Sequence, residues 1–242
     1  MDDIARLKET VVTAARILDN EALAQGFGHI SVRIPGTDQF LIQGNVSPGL
    51  VTVEDILTIN LQGEKLSGQL APVGETWIHT CIFRARPDVN SVSHVHPPYT
   101  IAVSATGARI RPLHHFGAFF PTGVDTYMPV GLVNTESLGI AVAEMLEGLN
   151  ALVLRGHGAV VVGEDIVSAC LASIYLEEAA RTQFRALQIG DPIYFTEAEA
   201  TMVGNQLRYR PFMERAWNYY KARLLSLHME ALPGNENPLE LV

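Results

Sequence analysis

The spacing of apolar residues changes repeatedly along this chain, and each change marks an element. Over residues 4–25, Ile4, Leu7, Val11, Leu18 and Ala22 recur at helical spacing, which predicts an amphipathic first helix ended by Gly26. Short runs of branched residues then alternate with turn signals at 30–34, 40–42 and 56–60, the last before Gly63, and read as strands. Over 74–86, Trp77, Ile78, Cys81 and Ile82 share one helical face, with Glu75 in the first turn. Strand alternation returns over 89–96 and is ended by Pro97-Pro98, because proline supplies no ladder donor. A helix is expected over 135–149, followed by two apolar runs, 151–155 and 159–163, that form a hairpin with His157 at its tip. A long helix over 164–189 stops at Gly190, and a last one spans about 211–229. Strands and helices are interspersed without repeat or linker. The expected class is therefore α/β, a central, mainly antiparallel sheet covered by helices in one domain over residues 1–242.

Composition narrows the classes of function. With 242 residues the chain can bury a full core, and 48% hydrophobic against 18% charged residues favours an ordered globule over disorder. A formal net charge of -9 leaves no basic face for phosphate backbones, so nucleic acid is excluded as the natural partner. The N-terminus lacks the pattern of a secretory signal and no apolar run is long enough to cross a bilayer, so no membrane association and a cytoplasmic location are expected. The two cysteines, Cys81 and Cys170, each fall in a helical segment and read as buried, inert thiols.

The chemistry concentrates in three histidines. In a strand, side chains repeat every two residues, so His94 and His96 leave the same face and can meet one ion. His157 stands between Gly156 and Gly158, which permit close approach of backbone and metal. Three imidazoles leave a divalent ion with open positions for substrate. Taken by composition alone, Glu75 reads as a carboxylate stabilising the positive end of a helix, worth under about 1 kcal/mol.

Three segments in order, Gly74-Glu75-Thr76-Trp77-Ile78-His79, His94-Val95-His96-Pro97-Pro98-Tyr99 and Leu154-Arg155-Gly156-His157-Gly158-Ala159-Val160, resemble the class II aldolase/adducin family. So do Gly28-His29-Ile30-Ser31-Val32-Arg33 and Leu176-Glu177-Glu178-Ala179-Ala180-Arg181, and the resemblance runs from about residue 7 to about residue 200. It implies a three-layer α/β/α fold and a homotetramer with sites between subunits, the C-terminal helix (about 210–229) lying at an interface. It also implies metal ligands at His94, His96 and His157, and a Glu75 that acts as acid/base or additional ligand. Non-catalytic adducin-like members, an interaction module, lack such ligands.

Within the family two lyase chemistries share one electronic problem, since both break a carbon–carbon bond and leave charge that a metal can hold as an enolate. Sugar-phosphate aldolases of the family carry asparagine where this chain has His29, and paired serines where it has Val73-Gly74. Losing those hydroxyls removes donors a phosphate would need. The His29 version resembles the branch of decarboxylases acting on dihydroxyphthalate-type and hydroxypyridine dicarboxylate-type acids. Decarboxylation of a hydroxylated aromatic or heteroaromatic acid is accordingly the leading expectation, in aromatic catabolism, with an aldolase on a non-phosphorylated hydroxy-keto acid or a sugar phosphate as the alternative. The ion expected is Mn2+ or Zn2+, with Fe2+ or Co2+ also compatible. Glu75 is the first candidate to move a proton, with His29 or His115 as alternatives. Arg33, Ser47, Gly74, Arg111, His114 and Tyr209 are candidates for binding an anionic aromatic acid. Phe116, Phe119 and Phe120 read first as core, and Tyr219 and Tyr220, like Tyr209, as residues able to reach a neighbouring subunit.

Overall fold

The computed structural model describes residues 2–230. Among these, eight strands form one sheet: β1 (His29–Arg33), β2 (Gln39–Gln43), β3 (Ile56–Asn60), β4 (Lys65–Ser67), β5 (Ser91–Val95), β6 (Asp125–Tyr127), β7 (Ala151–Leu154) and β8 (Gly158–Gly163). Their order is β4-β3-β2-β1-β5-β8-β7-β6, and every neighbouring pair is antiparallel except β6 with β7. The helices are α1 (Asp2–Asn20), α2 (Thr76–Ala85), α3 (Pro98–Ala105), α4 (Glu136–Met145), α5 (Ile166–Ile189), α6 (Glu197–Leu207) and α7 (Arg210–Glu230).

Period-two alternation in the central strands builds a core on each face. Val92, Val160 and Val162 pack with Ile78 and Ile82 of α2 and Val142 of α4, whereas Ile30, Val95 and Val161 pack with Leu18 of α1 and Leu171 and Leu176 of α5. The result is the α/β/α layering expected, and each fully buried Leu or Ile contributes about 1.5–3 kcal/mol to it. His94 lies two residues from Val92 and shares its face, so its side chain leaves β5 toward the α2 face.

Several boundaries differ from the sequence pattern for local reasons. The first helix ends at Asn20 rather than near 25, because Leu23 and Ala24 are buried and Ala22 and Gln25 adopt φ of 61° and 48° to turn the chain back. Pro97-Pro98 ends β5 but also starts α3, where Pro98 occupies a first-turn position whose N–H needs no partner. The carboxylate of Glu177 on α5 accepts from the backbone N–H of Tyr99 and of Thr100 at 2.8 and 2.9 Å, anchoring α3 just beyond His96. β4 and β6 have three residues each and show no alternation to read. Cys81 and Cys170 are buried free thiols, as expected, and burial pushes both above the ordinary range.

Candidate active site

Four elements meet at the end of β5. β1 and β5 pair with His29 opposite His94, and β8 brings His157 across from the other side. Gly156 takes φ of +66°, and a Cβ on Gly158 would stand 2.3 Å from the Val95 carbonyl and 2.8 Å from Cδ2 of His96. Only glycine therefore lets the hairpin press against the end of β5. Glu75 is the N-cap of α2, but its side chain makes no capping bond. Its Oε1 accepts instead from the N–H of Val133 at 2.7 Å, and its Oε2 faces Nε2 of His94 at 3.4 Å and Nε2 of His157 at 3.6 Å.

The proton positions follow from the partners. Nδ1 of His94 faces the carbonyl of Ala159 at 3.1 Å, and Nδ1 of His96 faces that of Ala24 at 3.2 Å. A carbonyl only accepts, so each Nδ1 carries the hydrogen and each Nε2 is a bare lone pair. Those two lone pairs stand 3.1 Å apart. Burial, then the neighbouring imidazoles, hold His96 down at about 4 and lower His157 too, so the rings are neutral at physiological pH. Burial works to raise the Glu75 carboxyl and the Val133 N–H to lower it, and a proton or other positive charge at Nε2 of His94 and His157 brings it down further, to about 2. His94, His96 and His157, and likewise His29, Glu75 and His94, offer ligand atoms within 4.8 Å of one another and could hold a metal ion. The facing lone pairs of His94 and His96 beside a carboxylate suit a cation, and neutral imidazole with carboxylate is a donor set for a divalent one.

The cluster floors a cleft of about 840 Å³ whose walls include Phe27, Val46, Val73, Val130 and Leu132. A family profile described as Class II Aldolase and Adducin N-terminal domain matches residues 9–184. The chain belongs to the class II aldolase/adducin family. It is 33% identical over 205 residues to a 3,4-dihydroxyphthalate decarboxylase of Arthrobacter keyseri, covering 77% of this chain and 81% of that one. A 5-deoxy-D-ribulose 1-phosphate aldolase of Bacillus thuringiensis serovar kurstaki is 26% identical over 197 residues, covering 79% and 91% of the two chains. Among solved structures, an L-fuculose 1-phosphate aldolase from Glaciozyma antarctica superposes with a TM-score of 0.77 at 26% identity, over 93% of this chain and 91% of that one. These relatives are lyases, and both decarboxylases and aldolases occur among them.

Not every residue singled out by sequence reaches this aldolase-family cleft. His29, Ser47, Gly74, Glu75, His96 and His157 line it, and His94 is buried beneath with no exposure. Arg33 does not, which corrects its assignment to substrate binding. It shares a face with His29 but lies four residues along β1, roughly 13 Å away, where its guanidinium lies over the Phe83 ring and donates to the carbonyls of Phe83, Arg86 and Val89. Arg111 stacks on Tyr194 at 3.9 Å, His114 sets its ring edge-on to Phe116, and exposed His115 precedes a short 3-10 turn. None of these three lines the cleft of its own chain, because the segment that carries them packs against α5 and not against the end of β5. Tyr209 lies outside it as well, exposed and against Phe212. Phe119 and Phe120 are core, Phe116 stacks on Tyr175, and Tyr219 and Tyr220 line a separate aromatic groove beside α7.

One charged cleft residue escaped the sequence reasoning. Among the described residues Arg155 is the only arginine or lysine lining the cleft, and its Nε donates to the Met128 carbonyl at 2.7 Å. The signal was available in the hairpin pattern, since Arg155 stands two residues before His157.

Proposed function

We propose that this protein is a metal-dependent carbon–carbon lyase that decarboxylates a hydroxylated aromatic or heteroaromatic carboxylic acid. The observation that carries the reading is the meeting of the Nε2 lone pairs of His94 and His96 with Oε2 of Glu75, beside Nε2 of His157. Those residues would hold the ion, Mn2+ or Zn2+ in first place and Fe2+ or Co2+ in second. When bound, a divalent ion supplies Lewis-acid stabilisation of the charge left on substrate oxygen as the carbon–carbon bond breaks.

The chain's own groups account for the rest. Glu75, held ionised and reaching the cluster by Oε2, takes the proton of the ring hydroxyl next to the departing carboxylate. Buried His29 returns a proton to the ring carbon, or exchanges that task with Glu75. Phe27, Val46, Val73, Val130 and Leu132 give an aromatic ring apolar walls and exclude water, and Arg155 offers a guanidinium to a further anionic group. Two features favour decarboxylation over sugar-phosphate cleavage. Val73 and Gly74 bring no hydroxyl to the cleft, and several relatives are named as decarboxylases.

The proposal includes a cytoplasmic location and a homotetramer; large apolar side chains left open at the cleft mouth support a subunit contact there, Phe27 being 80% exposed, Val130 72% and Leu132 59%. An aldolase reading rests on the same donor set and on relatives such as the 5-deoxyribulose phosphate enzyme. The deciding experiment is a panel of hydroxy-aromatic acids, hydroxy-keto acids and sugar phosphates, followed for carbon dioxide and for pyruvate or aldehyde. Carbon dioxide from the aromatic acids is expected, and pyruvate or aldehyde without carbon dioxide would overturn the choice. A chain that holds no stoichiometric metal would instead be an adducin-like interaction module.

A further inference from the structure

Behind the cluster lie two buried polar side chains, His79 and Ser31, that the donor set does not use. β1 presents His29 and Ser31 on one face, and α2 presents Glu75 and, one turn on, His79. Nε2 of His79 lies 2.7 Å from Nδ1 of His29, and Nδ1 of His79 lies 2.6 Å from Oγ of Ser31. The Ser31 hydroxyl also reaches the Val92 carbonyl at 3.3 Å. His79 and Ser31 are fully buried and His29 is 3% exposed. An imidazole in a core costs free energy unless both nitrogens are bonded, and an apolar ring would fill the space against Phe40 without that cost. What an apolar ring cannot do is grip His29.

We propose that His79, steadied by Ser31, is a positioning residue of the reaction: it holds His29 by Nδ1 and so presents Nε2 of His29 to the cleft as the proton-carrying atom. The inference rests on the lyase reading for the meaning of that proton, but on the two short contacts of His79 for the grip itself. His29 lines the cleft, and with Nδ1 engaged its remaining nitrogen is Nε2. A neutral His79 carries a single N–H, and both of its ring nitrogens are within hydrogen-bond distance of a partner. If that hydrogen is on Nε2 it donates to His29, whose own hydrogen then sits on Nε2. If it is on Nδ1 it donates to Ser31, and Nε2 of His79 accepts from Nδ1–H of His29, leaving Nε2 of His29 bare. The state of one His29 nitrogen thus dictates the other, and the direction of the Ser31 hydroxyl, toward His79 or toward Val92, selects between them. A second imidazole in this place fixes both the orientation and the tautomer of the first, as the outer partners of metal-site histidines do.

The test compares H79F, H79Q and S31A with the wild type, all zinc-loaded. Phenylalanine approximates the ring volume without hydrogen bonds, whereas the glutamine amide returns a partner to Nδ1 of His29. Metal content is expected to stay at the wild-type level in each variant, since none of the replaced groups belongs to the donor set. The H79F variant should lose about 10- to 100-fold in kcat with KM little changed, and H79Q should recover most of that loss. Nitrogen-15 spectra of the imidazoles, which report tautomers, should give one dominant neutral form for His29 in the wild type and a mixture in H79F. Should H79F fail to fold, S31A removes only a hydroxyl and is expected to shift the same His29 signals. The proposal is overturned if kcat of H79F or S31A matches the wild type within about twofold, or if the His29 signals are unchanged by both substitutions. If the wild type itself acts on none of the panel compounds, the lyase reading fails while the spectra still decide whether His79 governs His29.

Discussion

Nε2 of His94 and Nε2 of His96 stand 3.1 Å apart while the opposite nitrogen of each ring faces a backbone carbonyl, Ala159 for one and Ala24 for the other. Such a pair of lone pairs cannot hydrogen bond to each other, and it is stabilised by an ion between them. Purified protein should therefore carry one divalent ion per chain by elemental analysis, and H94A or H157A should carry almost none. Chelator treatment should abolish lyase activity, and Mn2+ or Zn2+ should restore it. Stoichiometric metal in H94A would remove the basis of the site.

Glu75 has a double attachment, Oε1 to the Val133 N–H and Oε2 toward His94 and His157. An amide in its place keeps the size and a carbonyl oxygen for Val133 but cannot take a proton. E75Q should retain the fold and most of the metal while kcat falls by about 10²- to 10⁴-fold, the range for a general acid–base group. A kcat near the wild-type value would reassign the proton to His29.

What the chain made legible follows from how its signals are encoded. His94 and His96 were readable because strand period two fixes a shared face, and His157 because two glycines flank it. The helix bearing Glu75 was readable from the face shared by Trp77, Ile78, Cys81 and Ile82. Arg33 misled for the same reason that His94 succeeded: parity gives the face of a strand but not the distance along it. The walls at Val130 and Leu132 come from a loop whose position depends on Glu75 holding Val133, a contact 58 residues apart in sequence. Long-range hydrogen bonds of this kind leave no local pattern. The grip of His79 on His29, 50 residues apart, was hidden likewise.

Among the described residues Arg155 supplies the only fixed positive charge lining the cleft, with Nε engaged by Met128. A charge-assisted bond to a carboxylate contributes about 1.5–3 kcal/mol. R155M should raise KM by about 10- to 100-fold for a substrate with a second carboxylate, and far less for the matching monocarboxylic acid. Lysine at this position should recover only part, since it lacks the planar fork. Equal losses on both substrates would place Arg155 in support of the hairpin alone.

Acid should destabilise the metal-free protein in a defined window. An unfolded histidine takes up a proton near its ordinary 6.5, whereas folded His96 waits until about 4 and folded His79 until about 3. Between these values the unfolded state binds more protons, so stability falls as pH falls. Calorimetry on metal-free protein should show Tm falling steadily from about pH 6.5 to about pH 4. A Tm that rises on acidification would contradict the buried, neutral histidines.

Gly158 and Gly156 flank the same histidine but should respond differently to alanine. At Gly158 the added methyl meets the Val95 carbonyl at 2.3 Å, a backbone atom in a buried strand that cannot yield, and Cδ2 of His96 at 2.8 Å. The hairpin must lift from β5, carrying His157 away from His94 and His96. G158A should lose more than about 2 kcal/mol of stability and most of its metal. At Gly156 no atom lies within 4 Å of the new methyl, and the penalty is the positive φ of +66°, worth about 1–2 kcal/mol. G156A should therefore lower Tm while keeping the ion. Thermal unfolding together with metal analysis separates the two effects, and a G158A protein with full metal content would mean that the contact between β8 and β5 does not set the position of His157.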